Sequence, residues 1–318
     1  MTIIDKIPKL AIKGVESSDE IVPYLSKRYR DIKFRYSYRH LSEQKEKIHS
    51  FIENDTFALV ILDACRYDFF DQEIDEFLDG ELTAVSTSVT ATVSYVPAIF
   101  DDEYEDIAYI TGTPTPTDHA FKRKELDYLP SEHFGKFVHV WKDCEKKELG
   151  AVPPEKMNEA VLQNLDDKLI VHYIQPHAPY IGEYRLRSDE RKSLYDNLDE
   201  IYKKIGRYNQ DDKEIPDIEL RKAYRSNLRR VLCSVRELVS QLNRPIVVTS
   251  DHGEMLGENG RYIHGGPQHK HLCKLPWFEV DESMIGIKTR EKNNPENIQN
   301  IKVTDQEVEK QLKNLGYL

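Results

Sequence analysis

The chain has 318 residues, 39% of them hydrophobic and 32% charged, with a net charge of -11. That length fits one large α/β domain, or one domain with sizeable additions, and the composition is that of a globular protein. The negative charge argues against a broad electrostatic grip on long nucleic acid, and no apolar run is long enough to cross a bilayer.

The opening stretch, MTIIDKIPKLAIKGVESSDE, lacks the charged head, long apolar run and small-residue cleavage site of a secretory signal. Residues 1–50 read as an N-terminal extension to a main domain over 51–285. Core strands are expected at FALVIL (57–62), IAYI (107–110), FVHVW (137–141), LIVHYI (169–174) and PIVVTS (245–250). Short, wholly apolar runs suit a sheet covered on both faces. Helical patterns occupy 67–78, 154–165 and 217–242. Strand alternating with helix predicts a doubly wound, mainly parallel α/β sheet with helices on both faces. Between 184 and 216 the chain is heavily charged, with Leu194, Leu198, Ile201 and Ile205 at helical spacing. This reads as a charged helical insertion over one side of the site. Residues 286–304 read as an exposed connection, and DQEVEKQLKNLGYL as a short closing helix in a 286–318 tail. Cys65, Cys144, Cys233 and Cys273 are widely spaced and form no CxxC, so a reducing, cytoplasmic setting is the expectation.

Ligands of open α/β sheets bind beyond the carboxyl ends of the strands. Asp63 follows the first apolar strand, His177 follows LIVHYIQP, and Asp251 with His252 follows PIVVTS. An Asp-His pair by itself is explained by an ordinary turn. Two carboxylates and an imidazole from separate strand ends make a divalent-metal site. His264 stands twelve residues beyond His252. A nucleophile is offered by VSTSVTATVSYVPAIF (85–100), which is hydroxyl-rich and runs into an apolar segment readable as a helix with Pro97 near its start. A hydroxyl at a helix N-terminus faces unpaired amides and the positive end of the dipole. Thr90, Thr92 and Ser94 all qualify.

With Asp63, a hydroxyl near residue 92, HAPY at 177–180 and SDHGEMLGE…HGG from 250 onward, the chain resembles the alkaline phosphatase/sulfatase superfamily over about residues 56–280. It looks most like the small sulfatase-like proteins of that group. The resemblance implies an alkaline-phosphatase-like fold and one tightly held divalent ion (Zn, Mn, Mg or Ca) on Asp63, Asp251, His252 and the nucleophile. Thr92 leads as that nucleophile, with Thr90 and Ser94 the alternatives if the register slides. His177 and His264 would hold non-bridging oxygens and help the leaving oxygen.

The departures are informative. No cysteine lies between Cys65 and Cys144, so the formylglycine signature of sulfatases is missing from its expected place. Ala64 replaces the second of two adjacent aspartates, and Gln175 stands where two-metal members carry a carboxylate. Family members with threonine are mostly phosphate-ester hydrolases and phosphotransferases, such as lipoteichoic-acid synthases and phosphoethanolamine transferases. The implied reaction is therefore metal-dependent hydrolysis or transfer of a phosphomonoester or phosphodiester on a small molecule, glycan or nucleotide. The alternatives are a sulfate ester hydrolase, or a catalytically degenerate module that binds a glycan or a partner protein. Arg66 reads as a buried partner of Asp68, Cys65 as packing, and His172 as core. His269, Lys270 and His271 are candidates to line the site.

Overall fold

The computed structural model describes residues 38, 40–116, 118–123, 127–143, 148, 150–186, 194–208, 211 and 213–288. Most of the N-terminal extension, part of the insertion, and the tail from 289 with its expected helix lie outside the described residues.

The strands are β1 (Ser42–Glu43), β2 (Phe57–Leu62), β3 (Gly80–Ser86), β4 (Tyr104–Thr111), β5 (Phe134–His139), β6 (Lys168–Tyr173), β7 (Ile246–Ser250), β8 (Met255–Leu256), β9 (Tyr262–Ile263) and β10 (Lys274–Val280). The principal helices are α1 (Gln44–Ile52), α2 (Tyr67–Glu73), α3 (Thr92–Ile99), α4 (Pro154–Gln163), α5 (Leu194–Lys204) and α6 (Asp217–Val239). Eight strands form one sheet in the order β1-β3-β10-β7-β2-β6-β4-β5, and β8 pairs with β9 separately. Within the large sheet β10 runs antiparallel to β3 and β7, while the other pairings are parallel. The doubly wound, mainly parallel architecture expected from the sequence is what the chain adopts. No helix among the described residues is long and apolar enough to cross a membrane.

Two cores sandwich the sheet because its central strands β2 and β7 are buried at every position and β2 is wholly apolar. In β2, Ala58, Val60 and Leu62 pack with α2, α4 and α6, while Phe57, Leu59 and Ile61 pack with α1 and α3. On α6, Leu220, Tyr224, Leu228, Val231, Val235 and Leu238 recur every three or four residues and are buried. Each such side chain contributes about 2 kcal/mol by leaving water. Leu228→Ala, in the middle of that stripe, would cost about 2–5 kcal/mol.

Ser42–Glu43 pairs with β3, and Gln44 donates to the Ser250 carbonyl, so the chain from 42 onward packs into the domain. Pro97 lies inside α3, at its sixth residue, rather than near its start. β10 contains Pro276, yet its ladder to β7 spans only Trp277–Glu279, so the proline falls beyond that ladder.

Candidate active site

β2 is flanked by β6 on one side and β7 on the other. Their carboxyl ends therefore deliver Asp63, His177 and Asp251–His252 to one edge of the sheet, as the sequence order suggests. Ala64 turns the chain sharply after Asp63, at φ 61°. A non-glycine residue in that region costs about 1 kcal/mol or more and needs support. Support comes from both sides: the Ala64 amide donates to Asp251 Oδ1 (3.0 Å), and its carbonyl accepts from the Tyr224 hydroxyl (2.7 Å). The Asn227 side chain of α6 donates to the His177 carbonyl (2.9 Å) and accepts from the Ile181 amide (3.0 Å), fixing the loop that carries His177.

Four side chains converge at the centre. Thr92 is the first residue of α3 and is 4% exposed, with Asp63 at 3% and Asp251 and His252 at zero. The Thr92 hydroxyl donates to Asp251 Oδ2 at 2.6 Å and lies 3.2 Å from His252 Nε2. His252 Nε2 is 3.3 Å from Asp251 Oδ2 and 3.7 Å from Asp63 Oδ1. The other hydroxyl candidates are elsewhere: Thr90 Oγ1 donates to the Gly266 carbonyl, and Ser94 is exposed.

These four side chains fit a divalent cation. The Nδ1–H of His252 donates to the Gly253 carbonyl (2.9 Å), so the Nε2 lone pair points at the carboxylates. Asp63 Oδ1 is buried with no hydrogen-bond partner. Three acceptors thus share a space into which Thr92 offers a proton, with Thr113 also bonded to the Asp63 carboxylate. Burial, then the neighbouring Asp251 and Glu254, pushes Asp63 well above the usual carboxylate range. A cation or an added proton must balance such a group. A tetrahedral ion with bonds of about 2.0–2.2 Å holds its ligands about 3.4 Å apart. The separations between these side chains, 2.6 to 3.7 Å, bracket that spacing. Behind the cluster, His172 Nε2 lies 3.8 Å from Asp251 Oδ2, and its Nδ1 meets the Tyr109 hydroxyl at 2.7 Å.

A second group adjoins the first. His177, Glu254 and His264 place one potential ligand atom each within 4.8 Å of one another. The His264 ring bridges both groups, with centroids 4.4 Å from His252 and 5.0 Å from His177. Glu254 is 2% exposed, its Oε1 has no hydrogen-bond partner, and burial pushes its pKa up to about 7. Burial, then the His264 ring, lowers His177 to about 4. Sequence reasoning gave Glu254 no role. The signal was Gly253: a Cβ there would meet the His271 carbonyl oxygen at 1.8 Å, so the loop after His252 is pressed inward. Gln175 turns away from the site and donates to the Val152 carbonyl (2.9 Å).

Arg66 supports the loops and touches the second group through the Glu254 backbone carbonyl (3.4 Å). It is 1% exposed, forms a two-point bond to Asp68 (2.9 and 2.6 Å), and reaches Glu258 (2.7 Å) and His271 Nδ1 (2.9 Å). Glu258 in turn accepts from the Leu256 amide, which fastens the loop beyond Glu254. His271 therefore belongs to this network, and His269 accepts from the His271 amide. Cys65 is fully buried, with its amide on Ser250 Oγ.

No protein-family model matches the chain, and no curated protein sequence does either. Among solved structures, the chain is similar to lipooligosaccharide phosphoethanolamine transferase A from Neisseria meningitidis, an integral membrane protein (TM-score 0.44, 16% identity). That match covers 70% of this chain and 47% of the transferase, so the chain spans about half its length. It is similar to the periplasmic domain of phosphoethanolamine transferase EptC from Campylobacter jejuni (0.42, 17% identity), with 74% of this chain and 82% of that one covered. It is also similar to a phosphonate monoester hydrolase of Agrobacterium radiobacter (0.42, 13% identity), with 72% and 68% covered. The chemistry of the site rests on its own geometry.

Proposed function

We propose that this chain is a metal-dependent enzyme that hydrolyses or transfers a phosphate ester, with Thr92 as a covalent nucleophile. One observation carries the reading: the Thr92 hydroxyl, buried at the first residue of α3, is hydrogen-bonded to Asp251 at 2.6 Å and lies 3.2 Å from His252.

A divalent ion on Asp63, Thr92, Asp251 and His252 would lower the pKa of the hydroxyl and neutralise charge on the phosphoryl oxygens. The hydroxyl proton already points at Asp251 Oδ2 and leaves along that bond as Oγ1 attacks phosphorus. The Ser94 and Tyr95 amides bond to the Ala91 carbonyl, so it is the Thr92 and Val93 amides at the start of α3 that would meet the developing negative charge. His264 would bind a non-bridging oxygen and deliver a proton to the departing alcohol, while the Nε2 lone pair of His177, with Glu254, could hold a second divalent ion that neutralises charge beside it. In the second half, water or an acceptor alcohol attacks the phosphothreonine, the phosphorus–Thr92 bond breaks, and Oγ1 recovers its proton.

A panel of chromogenic phosphate monoesters, diesters and sulfate esters, offered with several divalent metals, finds the competent substrate. Acid-quenching that turnover and mapping the modified peptide then tests the chemistry. Phosphate on Thr92 is the expected result. Phosphate on Thr90 or Ser94 moves the nucleophile, and rapid turnover with no modified residue overturns the covalent route.

A further inference from the structure

The charged insertion is more than a surface addition. Ile201 and Ile205 of its helical region are 1% and 2% exposed and join the core that holds α6, so α5 is docked against the domain. Docking brings Tyr202 to the site: its hydroxyl is 3.3 Å from His177 Nε2. The Nδ1 of His177 faces the Ala178 carbonyl and carries the proton, so Nε2 accepts and the tyrosine donates.

Arg207 lies just beyond α5. Its amide bonds to the Tyr202 carbonyl (3.0 Å), and its guanidinium lies over the rings of Tyr202 (4.7 Å) and Tyr208 (5.3 Å). Nearby cations are spent on carboxylates: Lys204 on Glu200, Lys213 on Asp217, Arg221 on Glu258 and Lys222 on Glu219. Among the described residues Arg207 makes no such ion pair, and it is exposed. Stacking on aromatic faces fixes a guanidinium, and of the Arg207 N–H edge one part meets the Tyr208 hydroxyl. In a chain of net charge -11, an exposed arginine beside the candidate site, bonded to a hydroxyl and to no carboxylate among the described residues, is set up for an anion.

We propose that Tyr202 and Arg207 form a specificity subsite for a second anionic group, so that the substrate is a phosphate ester whose leaving alcohol itself carries negative charge. The assignment rests on the phosphate-ester reading of the site. Tyr202 holds the guanidinium in place and Arg207 binds the distal anion by charge-assisted hydrogen bonds. Neither is required for the attack by Thr92.

Two unreactive phosphonates separate this idea from the catalytic one. Benzylphosphonate and 4-carboxybenzylphosphonate are titrated calorimetrically into the metal-loaded protein and into Arg207→Met, which keeps much of the apolar stem and removes the charge. The carboxylated probe should bind the parent about tenfold more tightly than the plain one. Arg207→Met should erase that preference while changing benzylphosphonate affinity less than about twofold. Tyr202→Phe, which keeps the stacking ring, should retain the preference, and Tyr202→Leu should lose most of it. Equal affinity of the parent for both probes, binding of neither, or a parallel loss of both in Arg207→Met overturns the subsite. If the preference holds while no phosphate ester is turned over, the subsite stands and the proposed reaction falls.

Discussion

The two halves of the candidate site are built differently. Asp63, Thr92, Asp251 and His252 sit on strand ends and a helix start, all at 4% exposure or less. Their positions follow from the hydrogen-bond register of β2 and β7 and from the bond between Ala64 and Asp251. His177, Glu254 and His264 stand on loops, the His264 side chain is 22% exposed, and α5 reaches in from an insertion. A sheet edge fixes reacting atoms rigidly, while loops and insertions can be varied without disturbing it. The proposed reaction accordingly assigns bond-making to the first half and the choice of substrate to the second.

Removing the proposed nucleophile tests the rigid half most severely. Thr92→Ala should lower turnover about a thousandfold or more, whereas Thr92→Ser should keep measurable activity. Steady-state rates on the best substrate of the panel measure both. Asp251→Ala should strike stability as well as metal. Its Oδ1 accepts from the Ala64 and His252 amides at 3.0 and 2.8 Å, and both would be left buried without their acceptor. The expected loss is about 2–4 kcal/mol in denaturant unfolding, together with loss of bound metal. A variant with full metal content would break the assignment of Asp251.

The loop-built half makes a prediction about pH. Burial raises the Glu254 carboxyl from its ordinary value of 4.5 to about 7. A raised folded-state value contributes stability that is complete below pH 4.5 and is lost as pH climbs through about 7. Metal-free parent protein should therefore lose up to about 3 kcal/mol across that window relative to Glu254→Gln, which does not ionise. His177, lowered to about 4, contributes in the opposite sense, with stability lost as pH falls from 6.5 toward 4. Subtracting the Glu254→Gln melting curve from the parent's isolates the carboxyl contribution. A difference that does not change with pH would contradict the placement of Glu254. The smallest effect belongs to Cys65, whose thiol is buried packing beside the site. Cys65→Ser should stay within a few-fold of the parent rate, and a large fall at unchanged stability would reopen it as a reactive group.

Sequence and structure agree where one physical rule dominates. Runs such as FALVIL and PIVVTS, buried on both faces, announce central strands, and the residues just beyond them fall together on the carboxyl edge of the sheet. β3 and β10 were not legible. GELTAVS is half exposed and mixed in composition, and KLPWFEV contains a proline that normally argues against a strand. Glu254 was hidden because a carboxylate three residues after Asp251 looks like any loop charge until the close approach at Gly253 is seen. The contact of Tyr202 with His177 was hidden because it depends on how an insertion docks, which no local pattern encodes. Thr92 could be favoured over Thr90 and Ser94 by analogy, but only the start of α3 separates a buried hydroxyl from two outlying ones.

The most direct test of the central claim is anomalous diffraction from crystals of the full chain grown with zinc. The account predicts an ion bonded to Asp63, Thr92, Asp251 and His252 at about 2.0–2.2 Å. Zinc found only on surface carboxylates and histidines, with no anomalous peak among those four side chains, would contradict it.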